Sequence, residues 1–234
     1  GDPRQLILTW SGSCLGLSHR KLLLNNNYMR PGMWVVGLWE PGYRCNGGTF
    51  FTNLLLDKFG AEIETLLNNQ EAIDFVRKLT TPSLSYAKTL NRIMGWERNG
   101  RAGVPLANIS GAAHITGGGL WTKFGEILPP DVGAYLHSML PPAEVLLEAQ
   151  EMSWSLSSSS KHLTDHQAYS TFHGGCGMIL VTPSQRDAEI IIGETKKDGI
   201  FADIIGETRE RKDMDSRIVV ESQFHQGGTL YSKE

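Results

Sequence analysis

Apolar residues along the chain follow two rhythms. Continuous apolar runs at Met33 to Leu38, Val132 to Leu136 and Met178 to Thr182 predict strands, the first of them buried on both faces. Ala107 to Ala113, Phe201 to Ile205, Arg217 to Val220 and Thr229 to Tyr231 read as further short strands. Between them the spacing turns helical. Thr49 to Phe59 carries Phe50, Phe51, Leu54, Leu55 and Leu56, and Leu120, Trp121, Phe124, Ile127 and Leu128 repeat the pattern up to Pro129-Pro130. Helices are also predicted at Ala61–Leu67, Gln70–Lys78, a segment opened by Leu79 to Ser83, Pro142 to about Glu151, Thr164–Tyr169 and Pro183–Lys197. In the last of these, Ala188, Ile191 and Ile192 turn inward. Strands and helices mix throughout and no internal repeat is visible, so the fold class is a layered α/β (α+β) sandwich: a mixed sheet with helices packed on it.

Three stretches break the pattern. Ser153 to Ser160 predicts a flexible serine loop, and Glu207 to Asp215, dense in both charge signs, a solvated turn. Gln5–Trp10 and Ser13–Ser18 read as two strands with nothing before them to pair with, like the end of an upstream unit. The domain expectation is therefore a remnant at residues 1–20 and one domain over 21–234.

A net charge of −3 with both signs interspersed offers no face for nucleic acid. No apolar run approaches the ~18 residues of a membrane span. Cys14, Cys45 and Cys176 are far apart and lack C-x-x-C spacing, which argues against a disulfide framework, a zinc site or any other metal site, and for a reducing cytoplasm.

The candidate chemistry centres on Ala113 to Leu120, a strand, a run of three glycines and a helix start. Gly117, Gly118 and Gly119 would leave backbone N–H groups free for an anion, Thr116 would add a hydroxyl and His114 an ionisable ring. Two more glycine-rich junctions surround Asn46-Gly47 and Gly175 to Gly177. Converging, the three would form a phosphate or carboxylate pocket; apart, they are three tight turns. Arg44 could grip a phosphate with both nitrogens, and His173 stands beside the third junction. His162, Asp165 and His166 read as a solvated surface, Cys176 as a small buried filler, and Lys88 and Lys123 as solvated helix residues.

The string His114-Ile115-Thr116-Gly117-Gly118-Gly119-Leu120 resembles the signature of the aminoimidazole ribonucleotide synthetase family, the phosphoribosylformylglycinamidine cyclo-ligases. Four more segments are similar to landmarks of that family, in order. They are Arg30 to Leu38, Thr81-Pro82-Ser83-Leu84-Ser85-Tyr86-Ala87-Lys88, Thr171 to Met178, and Ile205-Gly206-Glu207. All belong to the family's C-terminal half, so residues 1–20 resemble the last strands of the N-terminal half. Two places depart from the family's pattern, the junction at Glu40 to Gly47 and the segment around Thr171. Arg44 and Cys45 stand where the family has His and Ser, while Asn46 and Gly47 match; His173 replaces an Asn and Ser170 an Arg.

The resemblance implies a purine-biosynthesis ligase that uses ATP and Mg2+ to activate an amide oxygen as a phosphate ester, after which a substrate nitrogen closes the imidazole ring. This chain would supply the substrate half and lean on an N-terminal ATP-binding domain, with a homodimer as a further expectation. Arg44, Asn46, Gly47, Thr116, Gly117, Gly118, Gly119, His173, Gly175 and Gly177 would bind the phosphorylated small-molecule substrate, and His114 would orient it or carry a proton. The departures leave open a relative acting on another substrate, or a binding or dimerisation module without activity of its own.

Overall fold

The computed structural model of the chain describes residues 12–13, 15–16, 18–60, 62–97, 99–156 and 162–232. Its architecture follows from strand β1, Trp34–Trp39. Val35 and Val36 point to opposite faces and both are fully buried, so β1 needs a neighbour on each side and cover above and below. The neighbours are β4 (Cys176–Thr182) and β5 (Ala202–Glu210), both antiparallel to it. With β2 (Gly111–His114), β3 (Val132–Leu136), β6 (Ile218–Glu221) and β7 (Thr229–Tyr231), they form one seven-stranded sheet in the order β2-β4-β1-β5-β3-β6-β7. Among the described residues, only β3 and β6 pair in parallel.

The larger core lies on the face reached by Val35, Ile179 and Ile205. It is roofed by α1 (Gly48–Phe59), α3 (Gln70–Leu79), α5 (Gly119–Gly125), α6 (Glu144–Ser155) and α7 (Asp165–Thr171). The short α2 (Ile63–Leu67) leads into α3. Phe75, Phe124, Leu146 and Tyr169 are fully buried there, each worth about 1.5–3 kcal/mol relative to exposure. The other face, with Val36, Leu38 and Leu180, is covered by α4 (Ala87–Ile93) and α8 (Gln185–Lys197).

Most sequence expectations hold, and the differences have local causes. The strand expected over Ala107–Ala113 shortens because Asn108 is held by side chains: its N–H donates to Asp187 Oδ1 (2.9 Å), and its carbonyl accepts from Thr182 Oγ1 (2.6 Å). The helix read from Leu79–Ser83 begins only at Ala87. Ser153, Ser155 and the residue between them are helical, with the two hydroxyls bonded back to carbonyls three residues earlier. The rest of the expected serine loop, 157–160, lies outside the described residues, as do Gln5–Trp10, Cys14 and Leu17. Of the second expected N-terminal strand, Ser13, Leu15, Gly16 and Ser18 are described and are not in a strand.

Glu207 to Glu210 is not a turn but the second half of β5, followed by a 3-10 turn at Arg211–Asp213. Thr208 faces inward and is buried, while the charged Glu207 and Arg209 alternate outward. Arg209 stacks over the Tyr135 ring at 4.3 Å. His162, Asp165 and His166 do not form a solvated surface either. Asp165 is buried, and the two histidines are half-buried and stacked on Trp154 and Trp121.

Candidate functional site

β1, β2 and β3 run in one direction, because each is antiparallel to β4 or β5. The loops after β1 and β2 therefore meet the loop that enters β4 at one end of the sheet, and these are the three glycine-rich junctions. They do converge. A Cβ on Gly117 would stand 3.4 Å from Asn46 Oδ1, and one on Gly47 would collide with Phe172. Gly47 and Gly118 both take the left-handed backbone (φ 82° and 89°) that glycine alone adopts cheaply, and each turns the chain into a helix. Among the described residues, the N–H groups of Asn46, Gly47, Gly117 and Gly118 have no acceptor, and the Thr116 hydroxyl has no partner. These groups form the open, donor-rich part of the site.

The remaining expected residues serve the interior. Gly119 is buried, its N–H donates to the Thr116 carbonyl (2.8 Å), and a Cβ there would strike the backbone of Tyr169 and Ser170. Gly119 is thus a close-packing position and not a ligand donor. Gly175 likewise gives its N–H to His173 Nδ1 (3.2 Å), with a left-handed φ of 94°. The His173 Nε2–H donates to the Gly42 carbonyl (2.6 Å). With both nitrogens taken and the ring buried, His173 braces two loops against each other and offers nothing to a substrate. Burial also pushes its pKa down to about 4, so the ring is neutral.

Arg44 is committed to the protein as well. It has a left-handed backbone (φ 69°), a strained state for a side-chain-bearing residue and one the surroundings must hold in place. Its Nη1 pairs with Glu40 Oε2 at 2.7 Å, and its Nη2 donates to His114 Nε2. The guanidinium is too occupied to grip a phosphate with both nitrogens. Gly177 makes room for this arrangement, since a Cβ there would stand 2.5 Å from Arg44 Nη1 and 2.9 Å from Glu40 Oε2.

Two members of this cluster escaped the sequence reading. Glu40 is fully buried, and Tyr86 reaches it from the start of α4. The Tyr86 hydroxyl lies 2.8 Å from the Trp39 carbonyl and 3.1 Å from Glu40 Oε2, with one proton to share. Burial raises the Glu40 carboxyl above its ordinary range, opposed first by the Arg44 guanidinium. Glu40 Oε1 has no partner among the described residues. A signal for Tyr86 existed, because it sits in the segment Thr81 to Lys88. Glu40 gave none beyond a charge closing an apolar strand.

His114 is the exposed end of this chain of contacts. Beside it opens a cleft of about 460 Å³ lined by Ser83, Ser85, Tyr86, Leu90 and Met178. A larger hollow of about 630 Å³ lies elsewhere, against α1, α3 and α6; Lys58 and Lys78 within it are already paired with Glu71, Glu144 and Glu148. It touches none of the three junctions. Cys176 is a buried filler whose thiol burial pushes up to about 12. Among the described residues, no three His, Cys, Asp or Glu side chains gather to hold a metal ion, and no helix is long and apolar enough to cross a membrane.

Residues 98–219 match the family model described as AIR synthase related protein, C-terminal domain. The chain belongs to this family. Its relatives include proteins named phosphoribosylformylglycinamidine cyclo-ligase from Magnetococcus marinus, 25% identical over 90% of this chain, and from Cupriavidus taiwanensis, 26% identical over 90%. The chain spans 54% of each, about half their length. The fold is also that of the hydrogenase maturation protein HypE, solved in complex with ATP. That structure has a TM-score of 0.50 and 17% identity, covering 90% of this chain and 52% of its own. This AIR synthase related C-terminal domain is thus homologous to cyclo-ligases.

Proposed function

We propose that this chain is the substrate-binding half of an ATP-dependent cyclo-ligase that closes the imidazole ring of aminoimidazole ribonucleotide in purine biosynthesis. The observation that carries the reading is the meeting of two donor-rich turns, Asn46-Gly47 and Thr116 to Gly118, beside His114. Four N–H groups without acceptors and a hydroxyl suit the phosphate of a ribonucleotide. The cleft next to His114 is mostly apolar in outline with serines at its edge, which suits the rest of such a substrate.

In this reading, ATP and Mg2+ belong to an N-terminal ATP-binding half, as the resemblance to cyclo-ligases implies. This chain's part is to bind the phosphate, orient the reacting atoms and exclude water from them. His114 orients the substrate, Arg44 and Glu40 hold His114, and His173 stiffens the turn that receives Gly42.

The test is an ATP-dependent ring-closure assay on formylglycinamidine ribonucleotide with Mg2+. It is run on this chain alone and with the N-terminal half of a cyclo-ligase relative added in trans. Turnover in the mixture only is the expected result. Silence in the mixture, with the two halves shown to associate, overturns it.

The interior roles of Arg44 and His173 favour a second reading, a relative with a different phosphorylated substrate. A substrate screen on the same mixture separates the two.

A further inference from the structure

We propose that Arg44 is a positioning residue that fixes His114 as the neutral Nδ1–H tautomer, so that the ring meets its ligand as a hydrogen-bond donor and never as a base. The argument begins with the guanidinium, which has five donors, no acceptor and no accessible neutral form. When Arg44 Nη2 contacts His114 Nε2, the arginine must donate and Nε2 must carry a lone pair. The ring's single proton is then on Nδ1. Protonating Nε2 would set two cationic donors against each other.

Arg44 is not free to yield. Its Nη1 is held by the buried Glu40 carboxylate at 2.7 Å, its Cζ lies 6.0 Å from the Tyr86 ring centre, and its backbone is fixed in the left-handed region. The charged and titratable groups facing His114 are therefore Arg44 and, behind it, Glu40 and Tyr86. Burial and the Arg44 charge both lower the pKa of His114, in keeping with a neutral ring. Among the described residues Nδ1 has no partner, and the ring borders the cleft that holds Ser83 and Ser85.

A free histidine side chain prefers the opposite, Nε2–H form, so the tautomer is a property imposed by Arg44. The class of ligand atom follows: an acceptor such as a carbonyl or phosphate oxygen, not an N–H or ammonium group. This last step rests on the substrate-site reading above, whereas the tautomer does not.

The experiment is long-range 1H–15N correlation NMR of the imidazoles of the uniformly 15N-labelled chain from pH 5 to 8, without ligand. The His114 signals are assigned by their loss in His114→Gln. The expected pattern is Nδ1–H with a midpoint below 6.5 in the wild type. In Arg44→Met, whose side chain has no donor, it becomes Nε2–H, with the midpoint moved back towards 6.5. His173, bonded as Nε2–H, keeps that tautomer and reports that each variant is folded.

His114 found as Nε2–H or charged at pH 7 in the wild type overturns the proposal, even if Arg44→Met does not fold. An Nδ1–H pattern that persists in a folded Arg44→Met overturns the role of Arg44. No ligand or turnover enters the measurement, so failure of the ring-closure assay leaves its outcome standing.

Discussion

Gly177 lies so close beneath Arg44 that a side-chain carbon there would stand 2.5 Å from Nη1. The absence of a side chain at Gly177 is what lets Arg44 reach both Glu40 and His114. Gly177→Ala is expected to lower stability by about 1–3 kcal/mol through overpacking against groups that cannot retreat. Urea unfolding at pH 7 measures it. An unchanged midpoint would mean that the cluster relaxes freely and that its geometry is not held by space.

His173 should shape the acid limb of the stability curve. Its folded pKa of about 4 lies below the 6.5 of an unfolded histidine, so between those values the unfolded chain binds more protons. The contribution is fully present above pH 6.5 and is lost as pH falls towards 4, amounting to about 3 kcal/mol. Glu40 acts in the opposite sense, because its raised carboxyl favours the folded state at low pH and that gain is lost as pH rises through its folded value. Comparing the wild type with His173→Asn cancels the Glu40 contribution. The difference between the two urea stabilities should change steeply between pH 6.5 and 4, and a constant difference would refute the assignment.

Asp165 pins the C-terminal turn. Its carboxylate accepts from Gln150 Nε2 (2.7 Å), Ser222 Oγ (2.6 Å) and the N–H groups of Gln226 (3.3 Å) and Gly227 (2.9 Å). Asp165→Ala strands these donors and should cost about 3 kcal/mol. Hydrogen exchange should accelerate at Gln226 and Gly227 well before it does in α8. Uniform acceleration across the chain would point to global destabilisation instead.

Gly117 offers a cleaner probe of the donor-rich turns than Gly118. Gly118 has a left-handed backbone and Thr122 beneath it, so any side chain there disturbs the helix start. Gly117 is exposed, lacks that backbone restriction, and faces only Asn46 at ordinary contact distance. Gly117→Val should leave stability within about 0.5 kcal/mol. It should weaken binding of ribose 5-phosphate at least tenfold, followed by amide shifts of Asn46 and Gly118. Equal binding by both proteins would remove these turns from the site.

The legible parts of the fold were those fixed by nearby residues. β3 was read at its observed limits because Val132 to Leu136 is uniformly apolar between polar turns. α7 and α8 carry their own start signals, Thr164 with Gln167 and Ser184 with Asp187. β5 was cut short because its second half hides one buried Thr208 among charges that face outward, an alternation that local charge density masks. The donor turns at Asn46 and Gly117 were readable as glycine chemistry. The fate of Arg44 was not, since Tyr86, His114 and Gly177 reach it from three distant segments, and Glu40 from its own loop. Asp165 is the same case: its partners at 222–227 lie far along the chain, so nothing beside it in sequence announces its burial.

The sheet order has a consequence for biosynthesis. Val36, at the centre of β1, pairs with Leu180 on one side and Ile204 on the other. A ribosome adding roughly 5–20 residues per second leaves β1 without either neighbour for on the order of ten seconds. Throughout that interval Val35, Val36 and Leu38 have no strand to lie against. Those apolar side chains stay uncovered until β4 and β5 emerge, and only then does the end of the sheet that carries Arg44 and His114 come into being.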